Sequence, residues 1–395
     1  MIRMGAERVL YVGPFSFPNG GAAARRILGN AKSLRDAGYE VIIGSGQMPA
    51  GKVEDFEGFA VHSIGERTGE HLPRFLKNLK YLSIARKTIK WLDGLDKKPA
   101  YIILYSGYSP YFMRLLPWCK KNGVMLIFDA VEWYDGASFI KWLMSPYYWN
   151  IELAMRYYCV KTKNIIAISS YLQKYYEARN CKVMVVPPTV DCEEITPGTG
   201  NLKKGRITIA YTGTPGHKDL FDNYLEAMLQ KDIKGEKVVF KVAGLTEHDI
   251  FSYEAFQKRG LQTLPPCIQT LGKVSHSEAV GLVKEADFSV LLRKPERMAT
   301  AGFPTKFVES MTVGTPVIAN LTSDLHLYLK DGETGLVCDD HSPESFIKAI
   351  DKVLALSREQ LAGMRVNAHK VAENHFDYRI YTDKFKEYLS SISPV

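Results

Sequence analysis

The feature that most constrains the fold is an alternation of short apolar runs with longer amphipathic stretches, which continues through almost the whole chain. This alternation is typical of strand–helix units that feed a parallel sheet. Most runs of the first half end in Gly, Ser, Asp or Pro, as expected for strands that open into loops. The predicted strands of this half are RVLYVG, EVIIGS, AYIILYS, VMLIFDA, NIIAIS and VMVVPP.

The alternation breaks once and then restarts. After Val186, the segment PPTVDCEEITPGTGNLKKGR fits neither a helix nor a strand period and indicates a linker. A length of 395 residues suits about two domains. We therefore predict an α/β fold with two Rossmann-like, doubly wound domains facing each other across a cleft. The second-half strands are ITIAYTG, VVFKVAG, IQTLG, FSVLLR, PVIAN and GLVC.

The predicted domain boundaries follow from this break. The first domain covers residues 1–190, the linker 191–205 and the second domain 206–376. The tail, 377–395, contains an amphipathic helix that we expect to pack back on the first domain. Its apolar face consists of Ile380, Tyr381, Phe385, Tyr388 and Leu389.

Charge and composition exclude several classes of protein. Fifty-one Lys and Arg against 43 Asp and Glu give a net charge of +8, which favours anionic ligands over a dedicated nucleic-acid interface. No apolar run approaches the roughly 18–20 residues of a membrane span, and Glu7 and Arg8 interrupt any signal peptide, so we expect a cytoplasmic protein. The six cysteines form no C-x-x-C pair, which predicts reduced, mostly buried thiols.

Two glycine-bearing loops of the first half resemble phosphate sites. Gly20 and Gly21 follow the first strand and precede a helix, which suits either an anion at the helix N-terminus or only a tight turn. The segment from Gly46 to Lys52 has phosphate-loop spacing, but Val53 stands where a Ser or Thr would bind magnesium. This segment therefore does not predict a nucleoside triphosphatase.

The segment from Arg293 to Glu309 contains the densest set of chemically suitable residues. Pro304 suits the first position of a helix, so the N–H groups of Thr305 and Lys306 can bind an anion. The side chains of Arg293 and Lys306 would reinforce that site. Glu309, one turn later, could accept hydrogen bonds from two sugar hydroxyls, as the ribose of a nucleoside diphosphate requires. The alternative is a set of surface charges in which Glu309 pairs with the cations.

A similar turn opens the second half after ITIAYT. It contains Gly213, Thr214, Gly216, His217 and Lys218 before the next predicted helix. Because the carboxyl ends of parallel strands share one edge, this turn and the Arg293 segment are expected to face the same cleft. His217 is either a ligand contact or only a turn residue.

The stretch AGFPTKFVESMTVGTPVIANLTSDLHLYLKDGETGLVCDD resembles the signature of retaining glycosyltransferases of family 4, which have the GT-B fold. AISSYLQKYY, VVPPTVD, KVAG and LGKVSHSEAVGLVKEADFSVLLR add to the likeness, which runs from Gly13 to about Asp340. The Pro-Thr-Lys loop is typical of a subgroup. The resemblance implies that Glu309 binds the ribose, Lys218 is the basic residue after the first strand, and the backbone of Val274 contacts the base. The loop that meets the donor sugar and diphosphate corresponds to Gly302, Phe303, Pro304 and Thr305.

The sequence departs from the family pattern at two places. Ala301 stands where the family has its first Glu, which removes a carboxylate usually near the donor sugar. Thr214 and Pro215 stand where many relatives have an Arg for the diphosphate, and Arg293 is the candidate substitute. The donor preference of the family therefore does not transfer directly.

The acceptor side is expected in the first half. LIFDAVEWYDG ends a strand at Asp129, which we expect to contact substrate, and places Glu132 at the mouth of the cleft. Glu132 either holds the acceptor or stabilises the anomeric charge, or it only caps the next helix. Between His71 and Lys98, eight Lys and Arg oppose two Asp. This basic stretch is either a solvated helix over the core or a surface that contacts the anionic inner face of the plasma membrane.

The resemblance implies a hexosyltransferase that moves a sugar from a nucleotide-diphosphate sugar to an acceptor hydroxyl with retention of the anomeric configuration. A UDP-sugar is the expected donor. A glycan or lipid-linked acceptor in bacterial cell-surface polysaccharide or glycolipid assembly is expected, with Glu132, Lys218 and Arg293 as catalytic residues. The chain contains no Asp-x-Asp, so we expect neither metal nor cofactor. The alternatives are a GT-B epimerase or phosphorylase, and a non-catalytic sugar-nucleotide binding module.

Overall fold

The computed structural model describes residues 6–66, 83–106, 108–134, 145–200, 205–216 and 219–392. Contacts divide these residues into two units. The first contains the chain up to Thr189, Ala301–Phe303 and the residues from Tyr378 onward, and the second contains Val190–Thr300 and Pro304–Asp377. Each unit is an α/β structure built on its own parallel sheet.

The sheet of the first unit has the strand order β3-β4-β2-β1-β5-β6-β7-β8 in the described part of the chain. Its pairs are parallel except for β3 and β4, which form an antiparallel hairpin. The central strands are apolar on both faces because helices cover both sides of a doubly wound sheet. The strands are β1 (Arg8–Gly13), β2 (Glu40–Ser45), β3 (Val53–Phe56), β4 (Phe59–Ser63), β5 (Tyr101–Tyr105), β6 (Met125–Ala130), β7 (Asn164–Ala167) and β8 (Lys182–Val185).

Helices separate most of these strands. A π-helical turn, Ala154–Tyr158, joins the helices Pro146–Leu153 and Cys159–Thr162 into one continuous helical segment. Ser169 caps the last helix of this half by accepting from the N–H of Leu172. The helices are α1 (Ala22–Asp36), α2 (Arg86–Asp93), α3 (Ser109–Asn122), α4 (Pro146–Leu153), α5 (Cys159–Thr162) and α6 (Ser170–Glu177).

The sheet of the second unit is parallel, with the order β11-β10-β9-β12-β13-β14. From β9 the chain moves outward through β10 and β11, and then returns to the other side of β9 as β12. This reversal is the arrangement of a Rossmann sheet. The strands are β9 (Ile207–Thr212), β10 (Val238–Ala243), β11 (Ile268–Thr270), β12 (Phe288–Leu291), β13 (Val317–Asn320) and β14 (Gly335–Cys338).

Capping residues define where several helices of the second unit begin. Thr246, Ser275 and Ser357 each form a capping box, in which side chain and backbone satisfy each other's hydrogen bonds. A short 3₁₀ helix covers Leu325–Leu327. The helices are α7 (Phe221–Asp232), α8 (Glu247–Phe251), α9 (Glu254–Gln257), α10 (His276–Glu285), α11 (Arg297–Ala301), α12 (Thr305–Thr312), α13 (Pro343–Ala355) and α14 (Arg358–His375).

The chain ends in a helix that belongs to the first unit. After the 3₁₀ turn Tyr378–Tyr381, helix α15 (Thr382–Ser391) buries Phe385 and Leu389 in the core formed by β1, β2 and α1. The hydroxyl of Tyr388 donates to the carbonyl of Ile165 in β7 (3.1 Å). The apolar face of the tail is therefore covered by the first sheet and its helices.

Two segments differ from what the sequence patterns indicate. The hairpin β3–β4 has no counterpart among the predicted strands; its turn places Glu57 and Gly58 at positive φ (51° and 81°), and β3 is mostly exposed. The described residues of the predicted linker, 191–200 and 205, are irregular but belong to the second unit, where the N–H of Gly198 donates to the carbonyl of Val313 (2.9 Å).

Two further expectations concern the cysteines and membrane-spanning helices. All six cysteines are free and buried, as predicted. In the described residues, we find no helix that combines the length and the hydropathy of a membrane span.

Candidate functional site in the second unit

The carboxyl ends of β9 and β12 form the point at which the order of the second sheet reverses. β9 pairs with β10 on one side and with β12 on the other, so the loops after β9 and β12 diverge to opposite faces. Ligands of open α/β sheets bind in the crevice formed there. The predicted turn after β9 and the Arg293 segment after β12 both lie at this point.

Asp219 joins the two loops. Its Oδ1 accepts from Nε of Arg293 (3.1 Å), and its Oδ2 pairs with Nζ of Lys306 (2.9 Å). The hydroxyl of Tyr211, in β9, donates to Oδ2 (3.0 Å) and accepts from Lys306 Nζ (2.8 Å). Asp219, Arg293, Lys306 and Tyr211 thus form one network, which we call the Asp219 network.

Burial sets the character of the Asp219 network. The side chains of Asp219 and Arg293 are 5% and 6% exposed, whereas that of Lys306 is 26% exposed. Burial alone would raise the pKa of Asp219, but the charges of Lys306 and Arg293 and the hydrogen bonds to Lys306 and Tyr211 outweigh it and lower this pKa to about 2. Burial, followed by the charge of Asp219, raises the pKa of Tyr211. At neutral pH the network therefore contains one carboxylate and a neutral phenol.

The structure brings Arg293 and Lys306 together, and the partner of both is Asp219. The sequence alternative paired these cations with Glu309. The guanidinium of Arg293 is turned into the network, while its N–H donates to Oδ1 of Asn320 (2.8 Å). Direct contact of Arg293 with a diphosphate thus stays a prediction, and Lys306 is the more exposed of the two cations.

Helix α12 begins beside the Asp219 network. The helix begins one residue later than predicted, because Pro304 is its N-cap residue and Thr305 is its first residue. The first N–H groups of an α-helix have no acceptor within the helix, and the helix dipole favours an anion there. Thr305 and Lys306 are the first two residues of α12, so Lys306 contributes both a backbone N–H of the first helical turn and an ammonium.

Glycines permit a close approach of backbone at this edge. Gly213, directly after β9, has φ +91°, and a Cβ there would lie 3.4 Å from Cε of Lys306. Gly244, after β10, has φ +112°, and its Cβ would lie 2.6 Å from the carbonyl carbon of Gly213. A side chain at either position would strain the turn beside Lys306.

Glu309 lies one turn into α12 and faces His276. Its Oε1 is 3.2 Å from Nε2 of His276, the first residue of α10. The Glu309 side chain is 17% exposed and that of His276 is 54% exposed. A carboxylate in this position can accept hydrogen bonds from a ligand diol, and the imidazole lies beside it.

The other predicted residues of this half occupy varied positions. Thr214 is exposed in the turn after β9. Val274 is half-buried against the apolar cluster that includes Leu282 and Val283. Gly302 and Phe303 are buried and are grouped by their contacts with the first unit. His217 and Lys218 lie outside the described residues.

In the first unit, the predicted glycine pair forms a tight turn. A Cβ on Gly20 would lie 1.8 Å from the carbonyl oxygen of Ser16, and Gly21 caps α1 with φ +63°. The backbone conformation of this turn therefore accounts for glycine at both positions. Their contact with a phosphate remains a prediction.

Asp129, at the end of β6, is completely buried. Its Oδ1 pairs with Nη2 of Arg26 (2.6 Å), whose side chain is 3% exposed, and the hydroxyl of Tyr11 donates to Oδ2. Nη1 of Arg26 donates to the carbonyl of Val186 (2.8 Å). This network links α1, β1, β6 and the segment after β8, which is a structural role for Asp129. Contact of Asp129 with substrate stays a prediction.

Glu132 follows β6 and accepts a hydrogen bond from the hydroxyl of Tyr134. Burial, and then the charge of Glu132, raises the pKa of Tyr134, so the phenol stays protonated. The predicted helix-cap alternative for Glu132 falls on residues 135–144, outside the described part of the chain.

Three residues of the candidate site were not identified from the sequence. Asp219 directly follows Lys218, so a carboxylate in the anion-suited turn was a visible signal. The sequence indicates only that Tyr211 lies in a strand. His276 follows the capping residue Ser275, and nothing local connects it to Glu309.

The comparisons with known proteins agree with this fold and place the site in a known domain. Residues 193–371 match the family model "Glycosyl transferases group 1", so the second unit contains a glycosyl transferases group 1 domain. The fold, with two Rossmann-like units that each have their own sheet, matches the fold of GT-B glycosyltransferase structures.

Individual relatives are distant. D-inositol 3-phosphate glycosyltransferase of Corynebacterium jeikeium is 26% identical over 199 residues, which is 45% of each chain, so the match spans about half of that relative. Sucrose-phosphate synthase from Thermosynechococcus elongatus has a TM-score of 0.69 at 13% identity and covers 96% of this chain and 98% of its own. HepE of Anabaena, solved with UDP and glucose, has a TM-score of 0.67 at 16% identity and covers 98% of this chain and 100% of its own.

Proposed function

We propose that this protein is a retaining glycosyltransferase of family 4 that transfers a sugar from a UDP-sugar to an acceptor hydroxyl. The observation that carries the proposal is the position of Lys306. Lys306 is the second residue of α12, and its ammonium pairs with Asp219 at the sheet reversal, inside a glycosyl transferases group 1 domain. This combination suits the diphosphate of a nucleotide sugar.

In this proposal, the diphosphate binds the first N–H groups of α12 and the ammonium of Lys306. Glu309 accepts from the ribose hydroxyls. The choice of UDP rests on HepE, a structural neighbour solved with UDP and glucose. As the sugar departs, negative charge grows on the leaving diphosphate, and fixed N–H groups and a cation next to it stabilise the transition state.

The proposed transfer needs no metal and no separate general base. The bond between the anomeric carbon and the β-phosphate oxygen breaks, and the acceptor oxygen forms the new glycosidic bond on the same face. The acceptor proton passes to the departing phosphate oxygen. Glu132, held by Tyr134, is proposed to orient the acceptor hydroxyl.

The proposed acceptor is a lipid-linked sugar or glycan in bacterial cell-surface polysaccharide or glycolipid assembly. The basic stretch 71–98 supports this choice, because an enzyme that works on lipid-linked acceptors benefits from contact with anionic lipid. In the described part of this stretch, Arg86, Lys87 and Lys90 of α2 are exposed.

Release of free nucleoside diphosphate from a panel of nucleotide sugars, with and without bacterial lipid extract, tests the proposal. We expect release of UDP that depends on the extract, and a product that keeps the anomeric configuration of the donor by NMR. Lys306→Met should reduce turnover strongly, whereas Lys352→Met, which removes an exposed cation from the same unit, should not.

A non-catalytic sugar-nucleotide binding module is the second candidate, because Ala301 replaces the first Glu of the family and is fully buried. UDP binding without release of UDP from any donor would favour this candidate. Absence of UDP binding would contradict both.

A further inference from the structure

Asp219 is the centre of the network described above, and the proposed donor chemistry assigns it no contact with the ligand. We propose that Asp219 is a positioning residue of the donor site, which holds the ammonium of Lys306 in place and in its charged form beside the start of α12. This inference rests on the proposed binding of a nucleoside diphosphate there, and it assigns a role that the sequence did not indicate.

The geometry supports positioning of Lys306 through three contacts with two residues. Nζ of Lys306 is 2.9 Å from Oδ2 of Asp219, 2.8 Å from the hydroxyl of Tyr211 and 4.0 Å above the centroid of the Tyr211 ring. The absence of a Cβ on Gly213 leaves room for the aliphatic part of the Lys306 side chain. A flexible side chain is therefore restricted to one place, which reduces the entropy lost when an anion binds.

The balance of charge explains why a carboxylate can lie in an anion site. Arg293 and Lys306 contribute two positive charges, and Asp219 contributes one negative charge. Arg293 is almost completely buried and shares Asp219, so the net charge of the network is positive, and Lys306 has the more exposed of the two cationic side chains. Asp219 thereby allows a second cation to be buried next to Lys306 without a large repulsion.

Removal of Asp219 should make Lys306 easier to deprotonate. Burial lowers the pKa of Lys306, and the charge of Arg293 acts in the same direction, while Asp219 and then Glu309 oppose them. In the described residues, the titratable groups around Lys306 are Glu309 on its own helix, Tyr211 on β9, and Asp219 and Arg293 on the two loops. Without Asp219, burial and Arg293 both favour the neutral amine.

The test is the pH dependence of UDP affinity, measured by calorimetry between about pH 7.5 and 9.5 for the wild type and the variants side by side. Deprotonation of the uracil ring of UDP toward the top of this range affects all of them equally, so only the difference between their profiles reports on Lys306. Binding needs the protonated amine, so affinity is lost as the pH rises through the pKa of Lys306. We expect Asp219→Asn to begin losing affinity at lower pH than the wild type and to approach a tenfold loss per pH unit. The double variant Asp219→Asn/Lys306→Arg should lack this loss, because arginine remains charged.

Two further variants separate this role from general structural support. Asp219→Glu keeps the charge but moves it, so we expect weaker UDP binding at every pH with the wild-type pH profile. Asp351→Asn removes a carboxylate from an exposed ion pair with Lys231 and should change neither property. Circular dichroism and melting curves show whether each variant is folded.

The outcomes distinguish this inference from the proposed function. If the wild type does not bind UDP, the proposed function fails. If the wild type binds UDP and Asp219→Asn has the same pH profile, only the role of Asp219 is overturned. Wild-type affinity in Asp219→Glu also overturns it, even where the Asn variant does not fold.

Discussion

Two buried carboxylates, Asp129 and Asp219, hold cationic side chains at the carboxyl ends of strands. Asp129 pairs with a single guanidinium, that of Arg26, whose other donors bind backbone carbonyls. The charges of Asp129 and Arg26 therefore neutralise each other inside the protein. Asp219 pairs with two cations, one of which is partly exposed. This difference in residual charge makes Asp219 relevant to ligand binding and Asp129 relevant to stability.

Glu309 provides the first prediction at this scale. Glu309→Gln should weaken UDP binding by about 1–3 kcal/mol, because it would replace the proposed charge-assisted hydrogen bond to the ribose with a neutral one. Calorimetry with UDP and with 2′-deoxy-UDP measures the effect. The variant should also discriminate less between the two nucleotides than the wild type does.

The neighbouring histidine supplies the control for this prediction. His276→Gln changes the side chain beside Glu309 and keeps the carboxylate, so the preference for UDP over 2′-deoxy-UDP should remain. Equal affinities of wild type and Glu309→Gln for UDP would contradict the ribose assignment.

The pair of Arg26 and Asp129 gives a prediction about stability. Arg26→Met leaves a fully buried carboxylate without its cation and should lower the free energy of unfolding by about 3–5 kcal/mol. Urea unfolding followed by fluorescence measures the change. Lys52→Met, which removes an exposed ion pair with Glu54, should cost less than about 1 kcal/mol.

A second variant identifies the unpaired charge as the cause. Arg26→Met/Asp129→Asn should be more stable than Arg26→Met alone, because no buried charge is left without a partner. A double variant that is less stable than the single one would show that packing of Arg26 dominates.

At the scale of elements, helix α14 is fixed by one buried arginine. The guanidinium of Arg365 donates to the carbonyls of Gly198 (3.2 Å), Ala286 (2.7 Å) and Lys284 (3.0 Å). Burial lowers the pKa of Arg365 to about 10, so it remains charged at neutral pH. This side chain ties the segment before β9 and the end of α10 to α14, which explains why the predicted linker packs within the second unit.

We predict that Arg365→Met lowers the free energy of unfolding by about 3 kcal/mol, because it leaves buried carbonyls without donors. Arg365→Lys should recover little of this loss, since a single ammonium cannot reach all three acceptors. Urea unfolding of both variants checks the effect, with exposed Arg358→Ala on the same helix as the control. Stability of Arg365→Met within about 0.5 kcal/mol of the wild type would contradict the role of Arg365 as a tie.

At the scale of the whole molecule, the excess of positive charge is concentrated in the basic stretch 71–98. If this stretch contacts an anionic membrane, each Lys or Arg near the surface contributes about 1 kcal/mol, which gives reversible, salt-sensitive attachment. Replacement of four of its cations by Gln should abolish sedimentation with phosphatidylserine vesicles and leave UDP binding intact. These cations are Arg74, Lys77 and Lys80, outside the described residues, and Lys87 on α2.

A matched variant controls for the change in net charge. Four exposed lysines of the second unit are replaced by Gln in the control, and we expect vesicle binding to persist. They are Lys234, Lys258, Lys348 and Lys352. Wild-type protein that stays in solution with these vesicles at low salt would favour a solvated helix and a soluble acceptor.

The sequence by itself determined the elements that depend on local periodicity. The apolar runs correspond to the parallel strands because a strand buried on both faces must be apolar along its length, whatever lies next to it. The hairpin β3–β4 was missed for the same reason, since β3 is mostly exposed and has no such run. The segment from Arg293 to Glu309 was also identifiable, because its anion-suited loop and helix start are contiguous in the chain.

Only the tertiary structure decided which charges meet. Asp219 and Lys306 are 87 residues apart in the chain, and Arg26 and Asp129 are 103 apart. A local pattern carries no information about such partners, because their distance depends on how the strands are ordered in the sheet. The same holds for His276 beside Glu309 and for the tail helix on the first sheet. The sequence thus showed which residues could bind an anion, and strand order decided that Arg293 is buried against Asp219 while the side chain of Lys306 remains partly exposed.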